Sequence, residues 1–201
     1  MDAVTVSMHV SAPRERVYEL IADVAARPAW TDHYMEDYRL VTPRSVGVGA
    51  GARYRLDPPG ATRYVEFSVV EARPPRRLVE EGRTGRMGRT GYGAEYELTE
   101  AGRGVTRVEM TVWTEPENAI ERLRESIRFR GWVRRRAKKG LDRLRRILEE
   151  GGDQPLKRAT IAGYESRKAP RFGTRAGRGF SAADGETAPA EERPEPGRVG
   201  G

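Results

Sequence analysis

Cysteine is absent from this chain, and histidines and long apolar runs are scarce. The lack of cysteine excludes disulfides, thiolate metal ligands and a cysteine nucleophile, and it is compatible with a reducing cytoplasm, where we expect the protein. The two histidines, His9 and His33, lack the spacing of a metal site, so no metal is predicted. The glycines at 47, 49 and 51 precede a strand and do not match a dinucleotide-binding motif, and no cofactor is predicted. No run approaches the roughly 20 apolar residues of a membrane span. The N-terminal MDAVTVSMHV lacks the basic and apolar regions of a signal peptide.

Positive charge is unevenly distributed along the chain. Of the net charge of +7, residues 117–150 contribute +6 and residues 151–201 contribute +2, whereas residues 1–116 contribute −1. The basic character therefore belongs mainly to one segment. A uniformly basic surface, such as many nucleic-acid-binding domains carry, is not predicted.

The first 116 residues repeatedly alternate apolar and polar side chains, which is typical of half-buried strands. In the segment from Val4 to Val10, for example, apolar residues occupy every second position. Short turns with proline or glycine separate most of these segments, and this favours an antiparallel sheet. The other predicted strands lie around Tyr38 and Leu40 and at residues 52–57, 63–72, 77–82, 92–98 and 106–114.

Helices are predicted at both ends of this strand series. Pro13 lies in the first turn of a short amphipathic helix that ends near Asp23, and residues 27–30 break or restart it. A long helix is predicted from Glu117 to Glu150, because no proline interrupts it and a glycine pair follows it.

The long helix carries two apolar stripes that do not join smoothly at 100° per residue. They meet at Gly131, where a kink or a change of packing partner is predicted. The first stripe contains Ile120, Leu123 and Ile127, and the second contains Val133, Ala137, Leu141, Leu144 and Leu148. The basic residues expected to face solvent are Arg134, Arg135, Arg136, Lys138 and Lys139.

Together these patterns predict an α+β domain over residues 1–150. An antiparallel sheet of about six to seven strands has two short helices after its first strand, and the long C-terminal helix covers its apolar face. Residues 151–201 lose apolar periodicity and are rich in glycine, proline, alanine, arginine, glutamate and serine. They are predicted to form a disordered C-terminal tail.

Three stretches resemble the START-like, helix-grip superfamily, also called SRPBCC or polyketide cyclase/dehydrase-like proteins. They are VSMHVSAPRERVYELIADVAARPAW, the turn and strand VGVGAGARYRL, and the long terminal helix. The resemblance spans residues 1–150 and implies a curved sheet wrapped around the C-terminal helix, with a cavity between them. Members of the superfamily include lipid and hormone carriers, aromatase/cyclases and dehydratases. No functional-residue motif of one subfamily is matched, so no catalytic residue is carried over.

Side chains on the inner strand faces are the main candidates for ligand contact. Aromatic rings with a polar tip can both pack against a ligand and hydrogen-bond to it. The alternative is that the same side chains fill an ordinary core. The candidate ligand-binding residues on the strands are Tyr54, Phe67, Tyr96 and Met110. Trp30, after the short helix, and Ile127, on the long helix, complete the set of candidates.

His33 is the one candidate for a general base, because a histidine titrates near neutral pH and Asp32 adjoins it. The alternative is an ordinary loop histidine. The basic residues of the long helix, together with Phe129 and Trp132, could contact an anionic surface. Otherwise they form a solvated helix face.

Glycine-rich residues 82–93 are predicted to form a loop. Its arginines, Arg83, Arg86 and Arg89, could hold an anion, or the loop could be a mobile hairpin beside the cavity. Trp113 has the opposite parity to the apolar residues of its strand. It is therefore predicted to face outward or to follow a bulge.

Three functions remain open from the sequence. The leading hypothesis is a domain that binds a small, largely hydrophobic or aromatic ligand between the sheet and the C-terminal helix. The second is a polyketide-type cyclase or dehydratase that uses the same cavity. The third is an interaction protein that places its basic helix on an anionic surface.

Overall fold

An antiparallel sheet is the main element of the fold. The computed structural model describes residues 1–60, 62–85, 90–115, 127–151 and 155–161, and of residues 127 and 128 it describes the backbone only. Within these ranges seven strands form one sheet in the order β1-β7-β6-β5-β4-β3-β2. The strands are β1 Val4–Val10, β2 Glu36–Leu40, β3 Gly51–Leu56, β4 Arg63–Arg73, β5 Arg77–Thr84, β6 Thr90–Glu100 and β7 Thr106–Glu115.

Every neighbouring pair of strands is antiparallel, which confirms the predicted α+β class. The connections from β2 through β7 join neighbouring strands, as expected for short turns. The first strand, β1, pairs with the last, β7, so that Val4 faces Val112 and Val10 faces Thr106. Strands β1 and β2 are the two edges of the sheet.

Within the described ranges, three helices and one 3-10 turn accompany the sheet. Helix α1 spans Arg14–Ala22, the 3-10 turn spans Val24–Ala26, helix α2 spans Pro28–Thr31, and helix α3 spans Ile127–Glu150. Val17 and Ile21 of α1 are fully buried, as their helical spacing predicts. No helix within the described ranges is long and apolar enough to cross a membrane.

Helix α3 buries the second of the two predicted stripes. Ala137, Leu141 and Leu144 are buried, and Val133 and Leu148 pack against the same core. The helix is continuous through Gly131. The predicted start at Glu117 and the stripe residues Ile120 and Leu123 lie outside the described residues, as does the side chain of Ile127.

The predicted loop at residues 82–93 is wrong in its extent. Strand β5 continues to Thr84 and β6 begins at Thr90, so Gly82 and Gly93 are both strand residues. A Cβ atom on Gly82 would lie 1.9 Å from the carbonyl oxygen of Glu66, and one on Gly93 would lie 2.2 Å from the ring of Trp113. These glycines therefore permit close approach inside the sheet. Arg86 and Arg89 lie outside the described residues.

Trp113 faces the outer side of the sheet and lies over Gly93, its cross-strand partner. Its parity is regular, because Val112 and Thr114 on either side are buried. The Trp113 ring covers the backbone of Gly93, which has no side chain of its own to cover it. No bulge is needed to explain its position.

Residues 155–161 lie against the domain after α3. The amide of Ala159 donates to the carbonyl of Ala25 over 2.7 Å, and the amide of Leu40 donates to the carbonyl of Thr160 over 2.9 Å. Ile161 forms a parallel bridge with Leu40, at the β2 edge. Residues 152–154 and 162–201 lie outside the described residues, so the boundary at residue 150 and the disordered tail stay predictions.

Candidate functional site

A cavity of about 40 Å³ lies between the sheet and α3. Strands β3 to β7 provide one wall, because every second residue of each strand points inward. Helix α3 provides the other wall. The apolar side chains that line it include Met35, Leu56, Val65, Met110, Val112, Phe129, Trp132, Val133 and Ala137. Tyr34, Tyr54 and Tyr92 add rings with polar tips.

Aromatic rings join α3 to the segment that follows α2. Phe129 and Trp132 of α3 stack with ring centroids 6.1 Å apart, and Trp132 and Tyr34 form a T-shaped pair with ring centroids 6.3 Å apart. Both α3 aromatics are buried, so they turn toward the cavity and away from solvent. They are therefore not part of an exposed basic surface.

The candidate ligand-binding residues divide into two groups. Tyr54 and Met110 line the cavity. Phe67 lies behind the lining, with its ring centroid 6.1 Å from that of Tyr54. Trp30 and Tyr96 are fully buried at a second centre, where their rings are 6.4 Å apart. Ligand contact by all of these residues stays a prediction.

That second centre is a buried ion pair. Arg27 and Glu80 are each 1% exposed, and Arg27 Nη2 lies 2.5 Å from Glu80 Oε1. The same guanidinium donates to the Tyr96 hydroxyl and, over 3.2 Å, to the carbonyl of Ile21. Its carbon lies 5.0 Å from the ring centroids of both Trp30 and Tyr96, close enough for cation–π attraction.

Sequence reasoning missed this pair. Glu80 shares the inner face of β5 with Leu78, two residues earlier, so period-two parity could have revealed a carboxylate that points inward. Arg27 has no comparable signal, because it lies where the chain leaves the 3-10 turn and enters α2. Its position depends on the tertiary fold.

Burial governs the ionisation of this centre. Burial raises the pKa of Glu80 more than the attraction of Arg27 lowers it. Burial is the largest single effect on Arg27 and disfavours its charge, but the combined interactions with Glu80, Tyr96 and Tyr38 outweigh it and hold the pKa of Arg27 well above its usual value. Burial also raises the pKa values of Tyr34, Tyr54 and Tyr96. All three are therefore neutral hydroxyl donors at neutral pH.

The tyrosine hydroxyls differ in their partners. Tyr54 and Tyr92 hydrogen-bond to each other. Tyr96 accepts from Arg27, and Tyr38 donates to the carbonyl of Val24 over 3.1 Å. The hydroxyl of Tyr34 is buried and has no hydrogen-bond partner in the part of the chain that the structure describes.

His33 lies away from the cavity lining, between α2 and α3. Its Nε2 is 3.2 Å from the carbonyl oxygen of Arg136, and its Nδ1 is 3.0 Å from Arg143 Nη1. The first contact requires a proton on Nε2, and the second requires that Nδ1 accept. Burial lowers the pKa of His33, and neighbouring cations lower it further. Its only acceptor nitrogen is therefore occupied, although its role as a base stays untested.

Asp32 extends this contact network. It accepts from Arg143 over 2.6 Å and from Lys157 over 3.0 Å. Burial raises the pKa of Asp32, but these hydrogen bonds and charges outweigh that effect and leave it lowered. Asp32 thus connects α2, α3 and residues 155–161.

The predicted basic surface of α3 is largely exposed. Arg134, Arg135, Lys138 and Lys139 face solvent. Arg136 is half-buried, and its guanidinium carbon lies 5.7 Å from the ring centroid of Trp132. An anionic partner for this surface stays a prediction.

Comparisons with known proteins agree with the fold. A family model described as polyketide cyclase / dehydrase and lipid transport matches residues 1–149. Among curated proteins, no sequence matches the chain.

Solved structures show the same fold at low sequence identity. TTHA0849 from Thermus thermophilus is 18% identical with a TM-score of 0.59, over 73% of this chain and 96% of that one. Major latex-like protein 151 from Panax ginseng is 10% identical with a TM-score of 0.58, over 73% and 97%. DynU16, a putative protein in the dynemicin biosynthetic locus, is 21% identical with a TM-score of 0.51, over 75% and 48%.

Proposed function

The chain belongs to the polyketide cyclase / dehydrase and lipid transport family, and we propose that its domain binds a small, largely apolar or aromatic molecule between the sheet and α3. The cavity lining supports this proposal. Apolar side chains and aromatic rings dominate it, and a few hydroxyls offer fixed hydrogen-bonding points. This combination is typical of small-molecule sites.

The size of the cavity restricts how a ligand enters. A volume of about 40 Å³ holds little more than water, so a ligand must displace side chains. Met35 and Met110 line the cavity, and unbranched methionine side chains rearrange at low cost. A small aromatic molecule is therefore the first probe to test.

Benzene binding tests the proposal. We expect saturable chemical-shift changes in a ¹H–¹⁵N titration, concentrated on cavity-lining residues. Ala137→Val places two extra methyl groups at the cavity wall and should weaken benzene binding by about tenfold or more. Native mass spectrometry of freshly purified protein gives an independent search for a co-purified molecule.

Ala101→Val is the matched control, because Ala101 is exposed in the turn between β6 and β7. It makes the same chemical change far from the cavity lining and should leave benzene affinity unchanged. The proposal is wrong if benzene shifts do not saturate, or if both valine variants bind equally well.

The buried centre favours a second candidate, proton transfer next to a carbonyl as in cyclisation or dehydration. Because Arg27 donates to the Tyr96 hydroxyl, the Tyr96 O–H becomes a stronger donor to a developing enolate oxygen. The Glu80 carboxylate would take the proton from the carbon. Burial raises the pKa of Glu80, which makes it a better base.

Deuterium exchange of cyclohexanone in D₂O, followed by NMR, tests this candidate. We expect exchange faster than in buffer, and about 10²-fold slower catalysis in Tyr96→Phe if the hydroxyl stabilises the enolate. Tyr38→Phe is the control, since the Tyr38 hydroxyl bonds only to Val24 among the described contacts. Exchange at the buffer rate would remove catalysis of this type from consideration.

A further inference from the structure

Three tyrosines line the cavity, and the hydroxyls of two of them form a hydrogen bond with each other. Tyr54 and Tyr92 share a hydrogen bond. The hydroxyl of Tyr34 is buried beside the same cavity, and no described residue bonds to it. A buried hydroxyl without a partner lowers stability unless another group satisfies it.

The buried Arg27–Glu80 pair influences the enclosed Tyr34 hydroxyl electrostatically. The charges of Arg27 and Glu80 both act on the Tyr34 hydroxyl: besides burial, Arg27 lowers and Glu80 raises its pKa. Glu80 Oε1 is held by Arg27, whereas Oε2 has no partner among the described residues. The Tyr34 side of the cavity therefore offers a buried hydroxyl that can donate or accept a hydrogen bond.

We infer that the ligand of this cavity carries a hydroxyl group on its apolar or aromatic body, and that the Tyr34 hydroxyl binds it. The inference rests on the proposed function. A ligand hydroxyl suits the site because it donates one hydrogen bond and accepts others. A charged ligand group suits it less, because the Arg27–Glu80 pair already balances its own charges and another buried charge would lack a counterion.

Benzene and phenol isolate the contribution of one hydroxyl. In a pocket with no hydrogen-bonding group, phenol loses hydration of its hydroxyl and gains nothing in return. We expect the opposite here, with phenol binding about tenfold more tightly than benzene to the unmodified protein. Tyr34→Phe should reduce phenol affinity by about tenfold or more and change benzene affinity by less than about twofold. The measurement is the dissociation constant from ¹H–¹⁵N titrations.

Tyr38→Phe is the control variant, because the Tyr38 hydroxyl already donates to Val24 and Tyr38 does not line the cavity. It should keep the preference for phenol. If both probes bind but Tyr34→Phe leaves that preference intact, the inference is overturned and the proposed function stands. If neither probe binds to the unmodified protein, the proposed function fails and the inference fails with it.

Discussion

At the scale of single residues, the Arg27–Glu80 pair is the most consequential feature of the interior. Both side chains are 1% exposed, so removal of one partner leaves the other buried without compensation. Arg27→Met should lower the free energy of unfolding by about 3–5 kcal/mol. Urea denaturation measures this change.

The double variant Arg27→Met with Glu80→Leu separates charge from packing. It removes both ions and keeps apolar volume, so it should recover most of the lost stability. A double variant as unstable as the single one would contradict this account. The loss would then come from the packing of Arg27 between Trp30 and Tyr96.

His33 should make stability depend on pH. Its folded-state pKa lies below the ordinary value of 6.5, chiefly because of burial. The unfolded chain therefore binds more protons, so the contribution of His33 is present above about pH 6.5 and is lost as pH falls through the folded pKa. Glutamine can both accept from Arg143 and donate to Arg136, so His33→Gln should lose less stability between pH 7 and pH 5.

His9→Gln is the matched control for that measurement, because His9 is exposed on β1. It should keep the pH dependence of the unmodified protein. Chemical denaturation at several pH values gives the comparison. Identical slopes for His33→Gln and the unmodified protein would refute the assigned role of His33.

Parity in the sequence predicts which residues face inward, but it does not predict what they meet there. Tyr54, Phe67, Tyr96 and Met110 are all buried, as alternation predicts. Alternation does not reveal that Tyr96 accepts from Arg27 while Tyr54 bonds Tyr92. Such distinctions depend on contacts between residues far apart in the sequence, which no local pattern contains. Arg27 and Tyr96, for example, are separated by 69 positions.

At the scale of strands, Gly82 and Gly93 should respond differently to the same substitution. A Cβ atom at Gly82 would meet backbone of Glu66 at 1.9 Å, whereas one at Gly93 would meet the Trp113 ring at 2.2 Å. A ring can rotate away, but paired backbone cannot move without loss of the ladder. Gly82→Ala should therefore cost about 2 kcal/mol or more, and Gly93→Ala should cost clearly less.

Thermal and urea denaturation of the two alanine variants gives this comparison. Each variant is the control for the other, since the chemical change and the type of element are the same. Equal losses of stability would contradict this prediction. They would show that displacing the Trp113 ring costs as much free energy as displacing the backbone of Glu66. An increase in stability for both would mean that the strands relax freely at both sites.

The strands and helices followed from the sequence wherever local signals agreed. Alternation and proline or glycine turns placed most of the strands to within a few residues, because a half-buried strand imposes period two. The prediction was wrong at residues 82–93, where glycine density indicated a loop. Glycine provides conformational freedom at a turn, and it also allows close packing of neighbouring groups inside a sheet. Composition alone does not distinguish these two roles.

At the scale of the whole molecule, the chain after α3 contributes to the domain. Residues 155–161 lie along Ala25 and the edge strand β2, and Lys157 and Arg158 contact Asp32 and Asp23. An edge strand exposes unpaired backbone groups, and this segment satisfies the amide of Leu40. It therefore both stabilises the fold and covers an edge, although composition alone assigned it to the tail.

Two truncations test this contribution. A chain that ends at Ile161 should match the free energy of unfolding of the full chain, because residues 162–201 are predicted to remain disordered. A chain that ends at Gly151 loses two backbone hydrogen bonds and two partly exposed ion pairs. After the gain in chain entropy is subtracted, it should be less stable by about 1–2 kcal/mol.

If both truncations match the full chain, residues 155–161 contribute nothing to stability. If both lose stability equally, residues 162–201 belong to the folded unit.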